Sequence, residues 1–166
     1  DALYKIDDAM KAGFGWEYGP FQIWDAIGVQ KGIDLIRANG KNVPEWVTKM
    51  IDSGRNSFYT VCDGATWYYD ISENDYKKIP GQEGFIILNN IRERQKVWEN
   101  PDNVITDLGD GIINLEFRSK MNTIGGGVLQ GINKAIDLAE KDFQGLVIGN
   151  QGPNFSVGAN IMMIFM

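Results

Sequence analysis

The sequence predicts a mixed α+β chain, and three observations carry that reading. Residues 1–54 repeat apolar side chains at helical spacing and hold no alternating run. Two aromatic and β-branched runs, 58–62 and 65–69, then meet at Asp63-Gly64, a strong two-residue hairpin signal. From residue 104 the pattern becomes strand, strand, helix, strand. The expected architecture is an all-α segment at 1–54, a connector with a β-hairpin at 55–103, and an α/β segment at 104–166.

Each element rests on a local signal. Leu3, Ile6 and Met10 share one helical face, and Gly13 and Gly15 then break the pattern. Pro20 suits the first turn of a second helix, which carries Phe21, Trp24 and Ile27 and ends at Gly28. A third helix carries Val29, Ile33 and Ile36 and stops at Asn39-Gly40. A fourth holds Trp46, Val47, Met50 and Ile51, with Asn42 and Glu45 at capping-box spacing before it. Residues 71–84 read as a polar loop. Residues 85–98 fit strand and helix equally well, and Asn100-Pro101-Asp102-Asn103 breaks whatever precedes it. Two strands flank Gly109-Asp110-Gly111, and Ile113, Leu115 and Phe117 alternate with Asn114, Glu116 and Arg118, so the second has one wet face. A helix at 128–140 carries the stripe Val128, Leu129, Ile132, Ile136 and Ala139. Residues 145–149, Gly-Leu-Val-Ile-Gly, form a short apolar run expected of a buried parallel strand, which completes a βαβ unit.

Composition narrows the function. A net charge of −6 and a pI near 4.6 argue against a nucleic-acid or anionic-membrane surface. No stretch is long and apolar enough to span a bilayer, and the first residues do not read as a signal peptide. One cysteine, Cys62, reads as a small strand residue and fits a reducing, cytoplasmic setting. There is no histidine, which excludes a Ser-His-Asp triad, a Cys-His pair and the usual His-based zinc sites; no metal is expected.

Five constellations invite a chemical reading. Gly125-Gly126-Gly127 opens a helix and could cradle a phosphate. A dinucleotide fingerprint, however, needs the glycines directly after the strand and an acidic tip on the next strand, where Asn150 stands, so close helix–sheet approach is the plainer explanation. Trp16, Tyr18, Phe21 and Trp24 read as core at helical spacing, and Tyr59, Trp67, Tyr68 and Tyr69 as faces covered by another element, expected to be an interdomain contact. Asp7, Asp8 and Glu17 read as a solvated helix face. The loop 154–160 sits at the carboxyl end of a parallel strand, where α/β folds place ligands, and its small residues let backbone approach one closely.

Two stretches resemble known families. Ser119-Lys120-Met121-Asn122-Thr123-Ile124, the following helix, the strand 145–149 and Phe155-Ser156-Val157-Gly158-Ala159-Asn160-Ile161 resemble the opening of the crotonase (enoyl-CoA hydratase/isomerase) fold. Asn160 stands where that family usually has Asp. Residues 3–28, with Ile6-Asp7-Asp8-Ala9-Met10-Lys11, Gly13-Phe14-Gly15-Trp16 and Gly19-Pro20-Phe21 before Trp24-Asp25 and Gly28, are similar to the C-terminal helical domain of 3-hydroxyacyl-CoA dehydrogenases. The order resembles fused fatty-acid β-oxidation enzymes, with 55–103 as connector.

The resemblance implies an acyl-CoA ligand. The backbone amide of Ala159 would be the first donor of an oxyanion hole. Lys120 and Met121 would touch the CoA moiety, and Ser156, Val157, Asn160 and Ile161 would line its adenine and pantetheine side. It also implies NAD for the parent dehydrogenase, bound by a domain outside this chain. The expected partners are acyl-CoA, the remainder of a multienzyme chain and a second copy in a homo-oligomer. The later half of the hydratase site and its two glutamates have no counterpart here, so the fragment is expected to be inactive, with an exposed apolar patch over 161–166. The alternative is a free-standing non-catalytic module that binds acyl-CoA or mediates assembly.

Overall fold

The computed structural model describes residues 2–161 and divides into two compact units, 1–85 and 86–166. The fold is mixed α+β, as expected, but the division differs from the boundaries at 54/55 and 103/104. The hairpin strands belong with the helices before them, and residues 86–103 belong with the strands and helix after them.

The first unit opens with α1 (Leu3–Phe14), α2 (Pro20–Ile27), α3 (Val29–Ala38) and α4 (Glu45–Asp52), then an antiparallel sheet of β1 (Tyr59–Cys62), β2 (Ala65–Asp70) and β3 (Asp75–Lys78). Asp63 and Gly64 both take positive φ, 51° and 72°, which a tight two-residue turn needs to match strand twist. The strand β3 lies in the stretch read as loop. Its sequence Asp-Tyr-Lys-Lys has no apolar alternation, and it exists because β2 offers it an open edge. Asn42 does not cap: Pro44 holds the N-cap position of α4, with no side-chain cap bond.

One core joins helices and sheet. Leu3, Val29, Ile33, Val47, Met50, Phe58 and Tyr69 are buried together, with Phe21, Trp24 and Trp46 packed against them. Phe58 makes edge contacts with Phe21 and Trp24 at 5.1 Å each. The hairpin aromatics are therefore covered inside their own unit; Tyr69 enters the helical core and Tyr68 meets Tyr4 at 5.0 Å. Ile6, Trp16, Tyr18 and Ile27, read as facing inward, are exposed.

Asp7 corrects the reading of a solvated carboxylate face. It is fully buried and accepts from the backbone N–H groups of Phe21 and Gln22, at 2.9 and 3.1 Å, and from the Tyr59 hydroxyl at 2.8 Å. It thus caps α2 from another helix, where the free N–H groups and the helix dipole favour an anion. Asp25 does the same for β1, accepting from the N–H groups of Phe58 and Tyr59 at 2.7 and 2.9 Å. Burial raises the Asp25 carboxyl above its usual range despite those two donors. Burial, and then the bond to Asp7, push the Tyr59 phenol up, so it stays a donor.

The second unit contains α5 (Leu88–Ile91), β4 (Lys96–Asn100), β5 (Asn103–Gly109), β6 (Ile112–Phe117), α6 (Gly126–Asp142) and β7 (Gly145–Ile148), so the ambiguous stretch 85–98 holds both a helical turn and the start of a strand. The sheet order is β4-β5-β6-β7, antiparallel except for the parallel pair β6 and β7. The helix α6 covers one face through Val128, Ala135, Ile132 and Leu138, over Ile105, Ile113, Leu115 and Phe117.

Two expectations about this sheet change. The polar face of β6 is not wet: Asn114 and Glu116 are each 2% exposed, and only Arg118, just beyond the strand, reaches solvent. Asn114 donates to the Gly149 carbonyl at 3.1 Å, and Glu116 accepts from Arg92 through both oxygens, at 2.9 and 2.8 Å. The segment carrying α5 supplies that cover. Conversely β7 is an edge strand among the described residues, with Val147 and Ile148 exposed.

Close packing explains one of the three glycines that open α6, Gly127, and a fourth further along the helix, Gly131. A Cβ on Gly127 would overlap Asp102, and one on Gly131 would overlap the fully buried Asn103. The Gly127 carbonyl accepts from Asn103 and Asn100, at 2.7 and 3.0 Å. Gly131→Ala is therefore expected to destabilise the unit by about 1–3 kcal/mol through overpacking. That outweighs the gain of up to about 1 kcal/mol for alanine inside a helix. Gly126→Ala, with open space around its Cβ, should be neutral or slightly stabilising. Urea unfolding of both variants, followed through Trp98, checks the contrast; equal midpoints would refute it.

Candidate functional site

The site lies in two loops at the carboxyl end of β6 and β7. The first loop follows β6 and contains a short 3-10 turn, Lys120–Asn122; the second follows β7 over residues 149–161. Met121 and Asn122 both take left-handed backbone, φ 55° and 54°. Non-glycine residues there cost on the order of 1–3 kcal/mol each and persist only where the surroundings enforce them.

Hydrogen bonds between the loops provide that enforcement. The Ile124 N–H donates to the Gly158 carbonyl at 2.9 Å, and the Asn160 N–H donates to the Ile124 carbonyl at 2.8 Å. Ile124 and Ala159 thus form a parallel bridge. In that geometry residue 159 presents its own N–H and C=O to the opposite side. Asn122 adds a side-chain bond to the Asn154 carbonyl, 2.9 Å, and its own carbonyl accepts from the Ser156 hydroxyl, 2.6 Å. The Ser156 oxygen in turn accepts from the Gly158 N–H at 3.0 Å. Gly158 has φ 99°, a conformation that favours glycine.

A cleft of about 330 Å³ opens beside these loops. Its walls include Glu116, Phe117 and Arg118 from the end of β6, Met121 and Asn122, and Asn150 with Gln151. Asn150 accepts from the Phe117 N–H and donates to the Phe155 carbonyl, both at 2.7 Å, which fixes the turn out of β7. Gln151 accepts from the Leu88 N–H at 2.8 Å and donates to the Ile86 carbonyl at 2.6 Å. Arg118 reaches Glu116 at 3.3 Å and keeps nearly half of its side chain in solvent.

The predicted residues are partly united by this arrangement. Ser156, Ala159 and Asn160 lie along the bridged loops beside Met121, and Met121 alone among the predicted residues lines the cleft. Lys120, Val157 and Ile161 are exposed. Residues 162–166 of the expected apolar patch lie outside the described residues. Asn122, Asn150, Gln151 and Glu116 were not among the predicted site residues. Asn122 was legible only as a motif letter, and Asn150 only as the polar residue at a strand tip.

The turn that opens α6 does not form a dinucleotide cradle. The Gly127 position is closed by Asp102, its carbonyl is taken by Asn100 and Asn103, and Asn150 is committed to Phe117 and Phe155. Among the described residues no helix is long and apolar enough to cross a membrane.

Known proteins share both halves of this chain. Residues 2–61, the segment of four helices and most of β1, match the family model for the 3-hydroxyacyl-CoA dehydrogenase C-terminal domain. The Asp7, Asp25 and Tyr59 network lies wholly within it. The chain is also homologous to fatty acid oxidation enzymes: it is 42% identical over 167 residues to a probable 3-hydroxyacyl-CoA dehydrogenase of Bacillus subtilis (strain 168), an alignment covering 100% of this chain and 21% of that protein. It is 27% identical over 172 residues to a putative fatty acid oxidation complex trifunctional enzyme of Rickettsia felis, covering 99% of this chain and 20% of that protein. The counterpart in Rickettsia prowazekii is 27% identical over 164 residues, covering 98% and 19%. The chain spans about a fifth of the length of these curated relatives. No solved structure matches the chain significantly.

Proposed function

We propose that this chain is an internal part of a cytoplasmic, bifunctional 3-hydroxyacyl-CoA dehydrogenase/enoyl-CoA hydratase. The whole protein would hydrate a trans-2-enoyl-CoA and oxidise the product with NAD, which a domain outside this sequence would bind. Residues 2–61 would contribute dehydrogenase scaffold, with a second copy as partner in a homo-oligomer. Residues 104–166 would contribute the opening of a crotonase-like domain. The observation that carries the hydratase half is the Ile124–Ala159 bridge, which turns the Ala159 amide away from the neighbouring loop. As water adds across the double bond of the enoyl thioester, negative charge develops on the thioester carbonyl oxygen. A fixed N–H dipole aimed there stabilises it, commonly by a few kcal/mol. Lys120 and Met121 would meet the CoA moiety, and Ser156, Val157, Asn160 and Ile161 its adenine and pantetheine side.

One amide is half of such a site, so the 166 residues alone should not hydrate crotonyl-CoA. Loss of the thioester ultraviolet absorbance above the buffer rate would overturn that expectation. The mass of the native polypeptide, detected with an antibody to this chain, tests the larger reading. A band several times 18.6 kDa supports a multienzyme, whereas a band at 18.6 kDa leaves acyl-CoA binding or assembly as the function.

A further inference from the structure

We infer that Ser156 is a positioning residue for the Ala159 amide, acting as a hydroxyl clasp between the two loops; this rests on the oxyanion reading of Ala159. Over residues 158–160 three backbone groups are held and together fix where the Ala159 N–H points. The Gly158 carbonyl and the Asn160 N–H are both held by Ile124. The Gly158 N–H is held by the Ser156 oxygen, at 3.0 Å. Ser156 can do this because its proton goes elsewhere, to the Asn122 carbonyl at 2.6 Å.

Each half of the clasp needs the other. A hydroxyl that accepts from Gly158 must place its own proton on a nearby acceptor. Asn122 supplies the acceptor because its left-handed backbone, φ 54°, turns its carbonyl toward the second loop. The Asn122 side chain braces that turn by donating to Asn154. Ser156 is half-buried, and Gly158 carries φ 99°. The Ala159 N–H shares one peptide plane with the Gly158 carbonyl, so Ile124 sets its direction, and without the clasp the permissive Gly158 φ would leave that plane held from one side only. Ser156 itself need not touch the reacting carbonyl for this role.

The test uses the native polypeptide that carries this sequence and a dimethylaminocinnamoyl-CoA thioester. Its absorption moves to longer wavelength when its carbonyl oxygen accepts hydrogen bonds. The displacement at saturation reports carbonyl polarisation, and the titration midpoint reports binding. Ser156→Ala should lose at least half of the displacement at saturation, whatever its titration midpoint, and Ser156→Thr, which keeps the hydroxyl, should restore it. An undiminished displacement in Ser156→Ala overturns the inference, as does a threonine variant that behaves like alanine. If the unmutated protein binds the probe without displacement, the oxyanion reading of Ala159 fails first. Should Ser156→Ala misfold by circular dichroism, amide exchange at Gly158 in the threonine variant decides: protection equal to the unmutated protein supports the clasp, and its loss refutes it.

Discussion

Glu116→Ala is expected to be the most damaging single substitution in the second compact unit. Its carboxylate is buried beneath the sheet's polar face and receives the Arg92 guanidinium through both oxygens, with Arg118 adding a third contact. Arg92 is itself mostly buried, with 14% of its side chain exposed. Removing the acid leaves a guanidinium in a poorly solvated place, which costs about 3–5 kcal/mol. An 80-residue unit has roughly 4–12 kcal/mol in total. Trp98 is the single tryptophan of residues 86–166 and reports that unit in urea. Arg92→Met should cost about as much, because it strands the carboxylate. The double variant Arg92→Met/Glu116→Leu should recover most of the loss, since an apolar pair of similar volume often replaces a buried ion pair at little cost. Strictly additive losses in the double variant would show that the pair is not coupled.

Asp7→Ala is expected to be the corresponding weak point of the first unit. The variant loses the cap on α2, worth about 1 kcal/mol. It also leaves the half-buried Tyr59 hydroxyl without its acceptor, at about 1–3 kcal/mol. A total near 3 kcal/mol lowers the melting temperature by roughly 12–24 °C in a unit of this size. The adjacent Asp8 is the matched control. It sits exposed in an ion pair with Lys11, and its replacement by alanine should change stability by no more than about 0.5 kcal/mol. Thermal unfolding of both variants by near-ultraviolet circular dichroism, which the aromatic core dominates, makes the comparison. Equal melting temperatures would mean that Asp7 is not a structural cap.

Asp7 and Asp8 also show how far the sequence could be read. Both stand in the same helical repeat, and nothing local says which one meets the start of another helix. The helices themselves were legible because proline, glycine and apolar spacing act within a few residues. The strand Asp75–Lys78 was not, because its only reason to be extended is the free edge of β2. The alternation in β6 correctly announced two faces but could not say what covers the polar one. That cover comes from Arg92, 24 positions earlier. The second loop was legible as a polar, glycine-bearing stretch at the carboxyl end of an expected parallel strand. The roles of Asn122 and Ser156 were not, because they arise only when residues 34 positions apart are brought together.

The Gln151 side chain bears on how this unit is made. By pairing with Ile86 and Leu88 it does for the first segment of the unit what a neighbouring strand would do, from 65 and 63 positions further along. During synthesis the segment 86–95 emerges first, yet its partners Glu116 and Gln151 arrive later. The hairpin of β5 and β6 can form early from near neighbours, whereas the α5 segment must wait for the turn out of β7 before its backbone is satisfied. A ribosome stalled before residue 151 should therefore hold a paired hairpin with α5 still open to proteases, and release past that residue should close it.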